Sequence, residues 1–338
     1  MFLTEANVLQ YLLARRFTGT ESVVNGTYEV RNLSRRNRNY RVTCGAREYL
    51  VKQTGKWDFS GRSTIEQEAA LCRQARMDSR FEPLRRLGAE SHSYDPANSI
   101  LIFEFLHDDV PLATAAERLT PETGRLAGRV MGHFHAAMRL QELAAMYPIE
   151  PPAYFSMEHW DDEDTEDTTE GQRDMVRLVQ RHREFSPALA ALAADWRRES
   201  LIHGDWKLDN CLLSSGGAAM HVIDWELAGW GDAAWDAATL LESWWCLWLR
   251  DPEENPLEQI QPALRAFLGA YIDSRKLDRA EFQRRAIALA AVRMLQDAWE
   301  SLQKSENLEP LAVLLVQASH NLLTRPEWGA AQFLGGDV

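Results

Sequence analysis

"LIHGDWKLDN", residues 201–210, sets His203, Gly204 and Asp205 in a row, with Asn210 five positions after the acid. The stretch that follows, "CLLSSGGAAMHVIDW" (211–225), reads as strand, turn and strand, with "SGG" at the turn and Asp224 at the exit. A hairpin brings its two ends together. The spacing therefore predicts Asn210 and Asp224 near a common point, with Asp205 on the loop leading in. Two carboxylates and an amide oxygen gathered in this way can hold magnesium, supply a general base, or cap turns. A lone aspartate favours the last; the combined spacing favours the other two.

Upstream of this region the chain changes character once. Residues 20–53 read as extended: "ESVVNGTYEV", "NYRVTC" and "EYLVKQ" are rich in Val, Tyr and Thr, the last two joined by "GAR". Residues 63–77 take helical spacing through Ile65, Ala69, Leu71 and Cys72. "PLRRLG" and "SILIFEFL" then read as two more strands. A short amphipathic helix, with Thr4 as its N-cap and Val8, Leu9, Leu12 and Leu13 on one face, precedes them all. After Leu106 helical patterns dominate, in 121–138 with Thr120 as N-cap, then 173–194, 232–250, 256–274, 278–304 and 308–323. The expected class is α+β in two lobes: residues 1–105, a small antiparallel sheet with one helix, and residues 106–338, larger and mainly helical.

Composition narrows the function. The 338 residues carry a net charge of −13, which argues against a general nucleic-acid binder, since phosphate backbones need a basic footprint. An acidic chain also suits a cationic substrate. The most apolar stretch, "LLESWWCLWL" at 240–249, is ten residues long, about half a membrane span, so no membrane partner is expected. Cys44, Cys72, Cys211 and Cys246 form no CxxC pair and read as free thiols of a cytoplasmic protein. The oligomeric state is left open.

His-x-Asp, four residues, Asn, then an aspartate after a hairpin is the layout by which protein kinases place a base and two magnesium ligands. Here "HGD" has glycine in the middle, and "IDWELAGWGDAAWDAA" (223–238) follows. The two together resemble the aminoglycoside phosphotransferase and choline kinase-like family, with Ala233 where the family has proline. The resemblance implies a protein kinase-like fold, with residues 1–105 as the nucleotide-binding lobe and residues 106–338 as the catalytic and substrate-binding lobe. It implies ATP and Mg²⁺ as cofactors, Asp205 as the base that deprotonates a hydroxyl, and Asn210 and Asp224 as magnesium ligands. Lys207 either approaches the terminal phosphate or faces solvent. His203 braces the loop, and Asp232 and Asp236 serve turns and helix caps.

Such a site needs a strand lysine held by a helix glutamate. Lys52 at the end of "EYLVKQ" is chosen over Lys56 in the turn "TGKW", and Glu68 over Glu66 as its partner. The phosphate-covering loop, "LSRRNRNYRV" (33–42), has no glycine; Ser34, Asn37 and Asn39 are candidate donors, and the five arginines between 31 and 41 could neutralise phosphate charge. Backbone groups near Glu104 and Leu106 in "FEFLHDD" would read an adenine edge. The acidic run "DDEDTEDTTE" (161–170) is a solvated loop or a substrate-facing rim, and Trp225, Trp230, Trp235, Trp244, Trp245 and Trp248 are core or an aromatic cage. The leading reading is an ATP-dependent O-phosphotransferase acting on a small hydroxyl compound such as an antibiotic, an amino alcohol or a sugar. Its rivals are a kinase of a peptide or natural-product hydroxyl, a non-catalytic nucleotide-binding scaffold, and an adenylyl transfer.

Overall fold

Five N-terminal strands pair in the order β1-β2-β3-β5-β4, antiparallel throughout. They are β1 Tyr28–Asn32, β2 Arg38–Cys44, β3 Arg47–Gln53, β4 Ser91–Asp95 and β5 Ile100–Glu104. The structure, a computed structural model, describes residues 1–334 except 35–36, 55–58, 108 and 115–118. Its contacts divide the chain into two units, Met1–Val110 with Leu212–Ala228, and Pro111–Cys211 with Gly229–Val338. The first unit thus takes in the hairpin region that the sequence reading assigned to residues 106–338.

Side chains alternate across a strand, so each face of the sheet collects its own partners. Tyr40 and Val42 of β2, Tyr49 and Val51 of β3, and Ile100 and Ile102 of β5 point to one face, where helix α1 (Val8–Ala14) closes the core with Val8, Tyr11 and Leu12. Leu50, Leu101 and Phe103 point to the other face, under Ile65, Ala69 and Cys72 of α3 (Phe59–Met77). Lys52, two residues after Leu50, shares that second face.

Three local expectations are corrected. Glu21–Val24 is a one-turn helix, α2, and the first strand begins only at Tyr28. "PLRRLG" is not a strand: Glu82–Leu87 forms helix α4, because Pro83 sits in its first turn where a missing N–H costs nothing. Asn7, not Thr4, stands at the N-cap position of the first helix, and its side chain bonds back to Thr4 N and Phe2 O without capping the helix.

The second unit is mainly helical. It contains α5 Pro121–Ala137, α6 Leu143–Met146, α7 Glu170–Arg181, α8 Phe185–Ala194, α9 Ala233–Arg250, α10 Leu257–Arg275, α11 Arg279–Ser301, α12 Pro310–Thr324 and α13 Pro326–Leu334. The pattern over 173–194 breaks into α7 and α8 at His182. Short strands complete the chain: β6 Val110–Pro111, β7 Ser200–Ile202, β8 Cys211–Leu213, β9 Met220–Val222 and β10 Gly229–Gly231. β8 and β9 form the expected hairpin, and β7 pairs with β10.

The closest helix packing is between α5 and α10. Gly124, Gly128 and Gly132 recur every fourth residue, on one face of α5. A methyl at Gly124 would strike the carbonyl of Ala263, one at Gly128 the carbonyl of Phe267, and one at Gly132 would lie 2.7 Å from Ser274 Cβ. This seam fixes His135 at the end of α5 against Tyr271 of α10.

Candidate functional site

Period-two alternation puts Lys52 over α3, and helical spacing puts Glu68 on the same inner stripe as Ile65, Ala69 and Cys72. Lys52 Nζ lies 2.8 Å from Glu68 Oε2, with both residues almost fully buried, whereas Glu66 is exposed. The ammonium also pairs with Asp224 and, at 2.9 Å, with Glu226 Oε2. Burial works against its charge, but the three carboxylates outweigh it and hold its pKa above that of a free lysine. Glu68 is used on both oxygens, since Oε1 accepts the N–H of Trp225 at 3.0 Å. That bond ties α3 to the turn after Asp224, whose backbone is left-handed at φ 69°.

Glu226 is the residue that sequence reasoning passed over, although it stands in the quoted "IDWE". It is buried and accepts a 2.8 Å hydrogen bond from Asn37 Nδ2. Asn37 is therefore committed to Glu226. Ser34 is likewise committed: its Oγ accepts from Asn39 N at 3.1 Å and donates to Asn39 O. Asn39 lies opposite Lys52 in the β2–β3 ladder, with its Oδ1 buried and without a partner. Arg35, Arg36 and Lys56 lie outside the described residues. Glu104 ends β5 with its N–H on Glu90 O at 2.8 Å, and Leu106 follows two residues on.

Does this group suit magnesium? One ligand-type oxygen each from Glu68, Asp224 and Glu226 lie within 4.8 Å of one another. A single ammonium against three carboxylates leaves an excess of negative charge. A divalent cation on carboxylate oxygens would offset it. Asp224, with a side chain 41% exposed, is the one of the three open to a ligand.

The second unit holds Asp205. Gly204 has φ 82°, a conformation that favours glycine, which accounts for "HGD". The loop is clamped from beneath by Asp236, whose two oxygens accept the N–H of His203 at 2.7 Å and of Gly204 at 2.9 Å. Asp236 thus sits buried in the first turn of α9 and anchors the loop, in place of the helix-capping role read from sequence; Asp232 does cap that helix, through Ala234 N. His203 braces the loop as expected, its Nδ1 accepting Asp205 N at 3.2 Å.

Both oxygens of Asp205 are engaged. Lys207 Nζ is 2.7 Å from Oδ2, and Asn210 Nδ2 donates to the same oxygen at 3.3 Å and to Asp205 O at 2.9 Å. Arg293 of α11 donates from Nη2 to Oδ1 at 3.1 Å. Burial pushes the Asp205 carboxyl up, yet Arg293 and then Lys207 overcome it and hold the group below the usual aspartate range. Arg293 lies 88 residues from Asp205, and no local pattern announces it. Asn210 keeps Oδ1, the atom of the right chemistry for a cation.

The remaining candidates divide. Trp225, Trp230, Trp235, Trp244 and Trp245 are buried as core. Among the acidic run, Asp161 is occupied in capping its own turn, and Thr169 makes a capping box with Gln172 at the start of α7.

The model of the phosphotransferase enzyme family (APH) matches residues 28–268. The chain belongs to that family. The match spans both Lys52 with its carboxylates and Asp205 with its loop. Among solved structures, an ethanolamine kinase of Plasmodium vivax is similar at 13% identity and TM-score 0.66, covering 97% of this chain and 92% of that one. A choline/ethanolamine kinase family protein of Mesorhizobium loti gives 17% and 0.59, with 98% and 100% covered. A microcompartment-associated aminopropanol kinase gives 16% and 0.60, with 98% of each chain covered. These likenesses show the protein kinase-like fold. No curated protein sequence matches the chain. The family makes the protein an ATP-dependent phosphotransferase.

Proposed function

We propose that the protein moves the γ-phosphoryl group of ATP to the hydroxyl of a small molecule, with Asp205 as the base. The observation that carries this is the state of Asp205: a half-buried carboxylate whose pKa Arg293 and Lys207 hold below the usual aspartate range, on a loop locked by Asp236. An ionised, oriented carboxylate is what proton abstraction from an alcohol requires. Asp205 takes the hydroxyl proton as the alcohol oxygen bonds to phosphorus and the bond from phosphorus to the ADP oxygen breaks. Bound magnesium would neutralise the phosphate charge. Asp224 and Asn210 are the residues that would hold it. Lys52, fixed by Glu68, binds nucleotide phosphate; Asn39 and the backbone at Glu104 and Leu106 contribute to nucleotide binding, Ser34 joins them by exchanging its bonds to Asn39 for phosphate, and residues 1–105 form the nucleotide-binding part. Lys207 is the mobile cation, its side chain 32% exposed, and shifts from Asp205 to the terminal phosphate.

The acceptor is a cationic hydroxyl compound. Glu300 and Asp297 of α11 act electrostatically on Arg293 and on Tyr154, which lies beside Trp160, and Trp160 packs edge-on against Trp299 at 4.9 Å. Half-buried aromatics beside acids suit an ammonium group. The reaction is placed in the cytoplasm, where ATP is abundant and four free cysteines persist. Among the described residues no helix is long and apolar enough to cross a membrane.

The test is a panel of amino alcohols, aminoglycosides and neutral sugars with Mg–ATP, read by ADP release and by product mass. A gain of one phosphoryl group on an aminated alcohol, reduced about 10²-fold or more in Asp205→Asn, is the expected result. Full turnover in a folded Asp205→Asn, or a nucleotidyl adduct, overturns the reading.

A further inference from the structure

The two cations on Asp205 differ in kind. Lys207 is partly exposed on the same loop, two residues away. Arg293 is 2% exposed, in the middle of α11, with its guanidinium 5.5 Å over the Trp235 ring. Each holds a different oxygen: Lys207 has Oδ2 and Arg293 has Oδ1. We propose that Arg293 is a positioning residue which fixes Oδ1 of Asp205 and so assigns Oδ2 as the oxygen that meets the acceptor hydroxyl once Lys207 leaves. This deepens the function proposed above and rests on Asp205 being the base.

The physical case is one of mobility and cost. A carboxylate held at one oxygen alone, here by the partly exposed Lys207 and the Asn210 amide, can still pivot about that oxygen, and its lone pairs sample more than one direction. A buried planar guanidinium over the Trp235 ring, donating to the second oxygen, restricts that freedom. The groups facing Asp205 are Lys207, Asn210, His203 and Arg293. Those bearing on Arg293 are Asp205, Glu242, Asp297 and Glu300. Asp297 and Glu300 explain how a buried guanidinium is tolerated there, but neither is needed to explain why it reaches Oδ1. A purely charge-balancing arginine would serve those two acids and leave the base alone.

The experiment compares Arg293→Met, Arg293→Lys and Asp205→Asn with the natural protein, using Mg–ATP and the best acceptor from the panel. Folding is checked by circular dichroism. For Arg293→Met, kcat is expected to fall about 10²-fold, the scale of a misoriented group, with acceptor KM changed less than about threefold. The acidic limb of its kcat/KM profile should move up by about one pH unit, because a positive neighbour has been removed from the base. Arg293→Lys should recover part of the loss. A folded Arg293→Met with kcat within about twofold and an unmoved acidic limb overturns the inference while an inactive Asp205→Asn leaves the proposed function standing. An active Asp205→Asn overturns both. Should Arg293→Met fail to fold, Arg293→Lys decides: a lowered kcat at constant KM supports the assignment, and unaltered kcat and pH profile overturn it.

Discussion

His135 Nε2 lies 3.0 Å from Oδ2 of Asp236, and both side chains are wholly buried. Burial lowers the imidazole pKa, against the pull of Asp236. Its Nε2–H donates to the aspartate, and Nδ1 faces the Tyr271 hydroxyl at 3.0 Å. Asp236→Asn replaces an acceptor of three N–H groups by an amide that can accept at one atom only. About 2–4 kcal/mol of stability should be lost in urea unfolding, with turnover down more than tenfold because Gly204 and Asp205 lose their anchor. Wild-type turnover would show that the clamp does not set the loop.

Lys52 is the only cation paired with Glu68, Asp224 and Glu226 among the described residues. Lys52→Met leaves buried carboxylates uncompensated, at a cost of roughly 3–5 kcal/mol. Magnesium should then raise the melting temperature of the variant more than that of the natural protein. Glu226→Gln lowers the excess charge and should weaken the magnesium effect. Identical magnesium dependence in all three proteins would contradict the assignment.

Glu242 sits wholly buried in α9, and burial, with Asp297 adding to it, raises its carboxyl from 4.5 to about 8. Its Oε1 accepts the Cys246 thiol at 2.8 Å. A carboxyl that is protonated when folded and ionised when unfolded contributes stability that is full below the unfolded pKa and lost as pH rises through the folded one. Stability should decline between about pH 4.5 and pH 8, by on the order of 3–5 kcal/mol from this group. Glu242→Gln should flatten that decline, as read by denaturant midpoints at pH 6 and pH 9.

Gly128→Leu forces a side chain into the backbone of α10 at Phe267. Overpacking of this kind costs about 1–3 kcal/mol or more, and here the obstacle is a carbonyl that cannot rotate away. The melting temperature should drop by several degrees, and the His135–Tyr271 contact should loosen with it. An unchanged melting temperature would show that the seam has slack.

Sequence patterns located what is local. The family resemblance pointed to Lys52 and Glu68, and alternation in "EYLVKQ" with the helical stripe through Ile65 and Ala69 explains why the fold brings the two together. Such patterns failed where a rule of composition met a stronger one of position: "PLRRLG" looked extended, but Pro83 in a first turn starts a helix. They were silent on Arg293 and His135, because a partner supplied by a distant helix leaves no spacing to read. Glu226 stood in plain view, yet nothing in one sequence says that a third acid will share the same lysine.

The glycine seam has a consequence for how this chain can vary. At Gly132 the obstacle is the side chain of Ser274, so a bulkier residue could be rescued by a second-site change to glycine there. At Gly124 it is main chain that stands in the way, which no exchange of side chains on α10 can remove. Genetic suppressors should therefore appear for the third glycine and be absent for the first, giving the helix pair one end that can drift through evolution and one that is frozen.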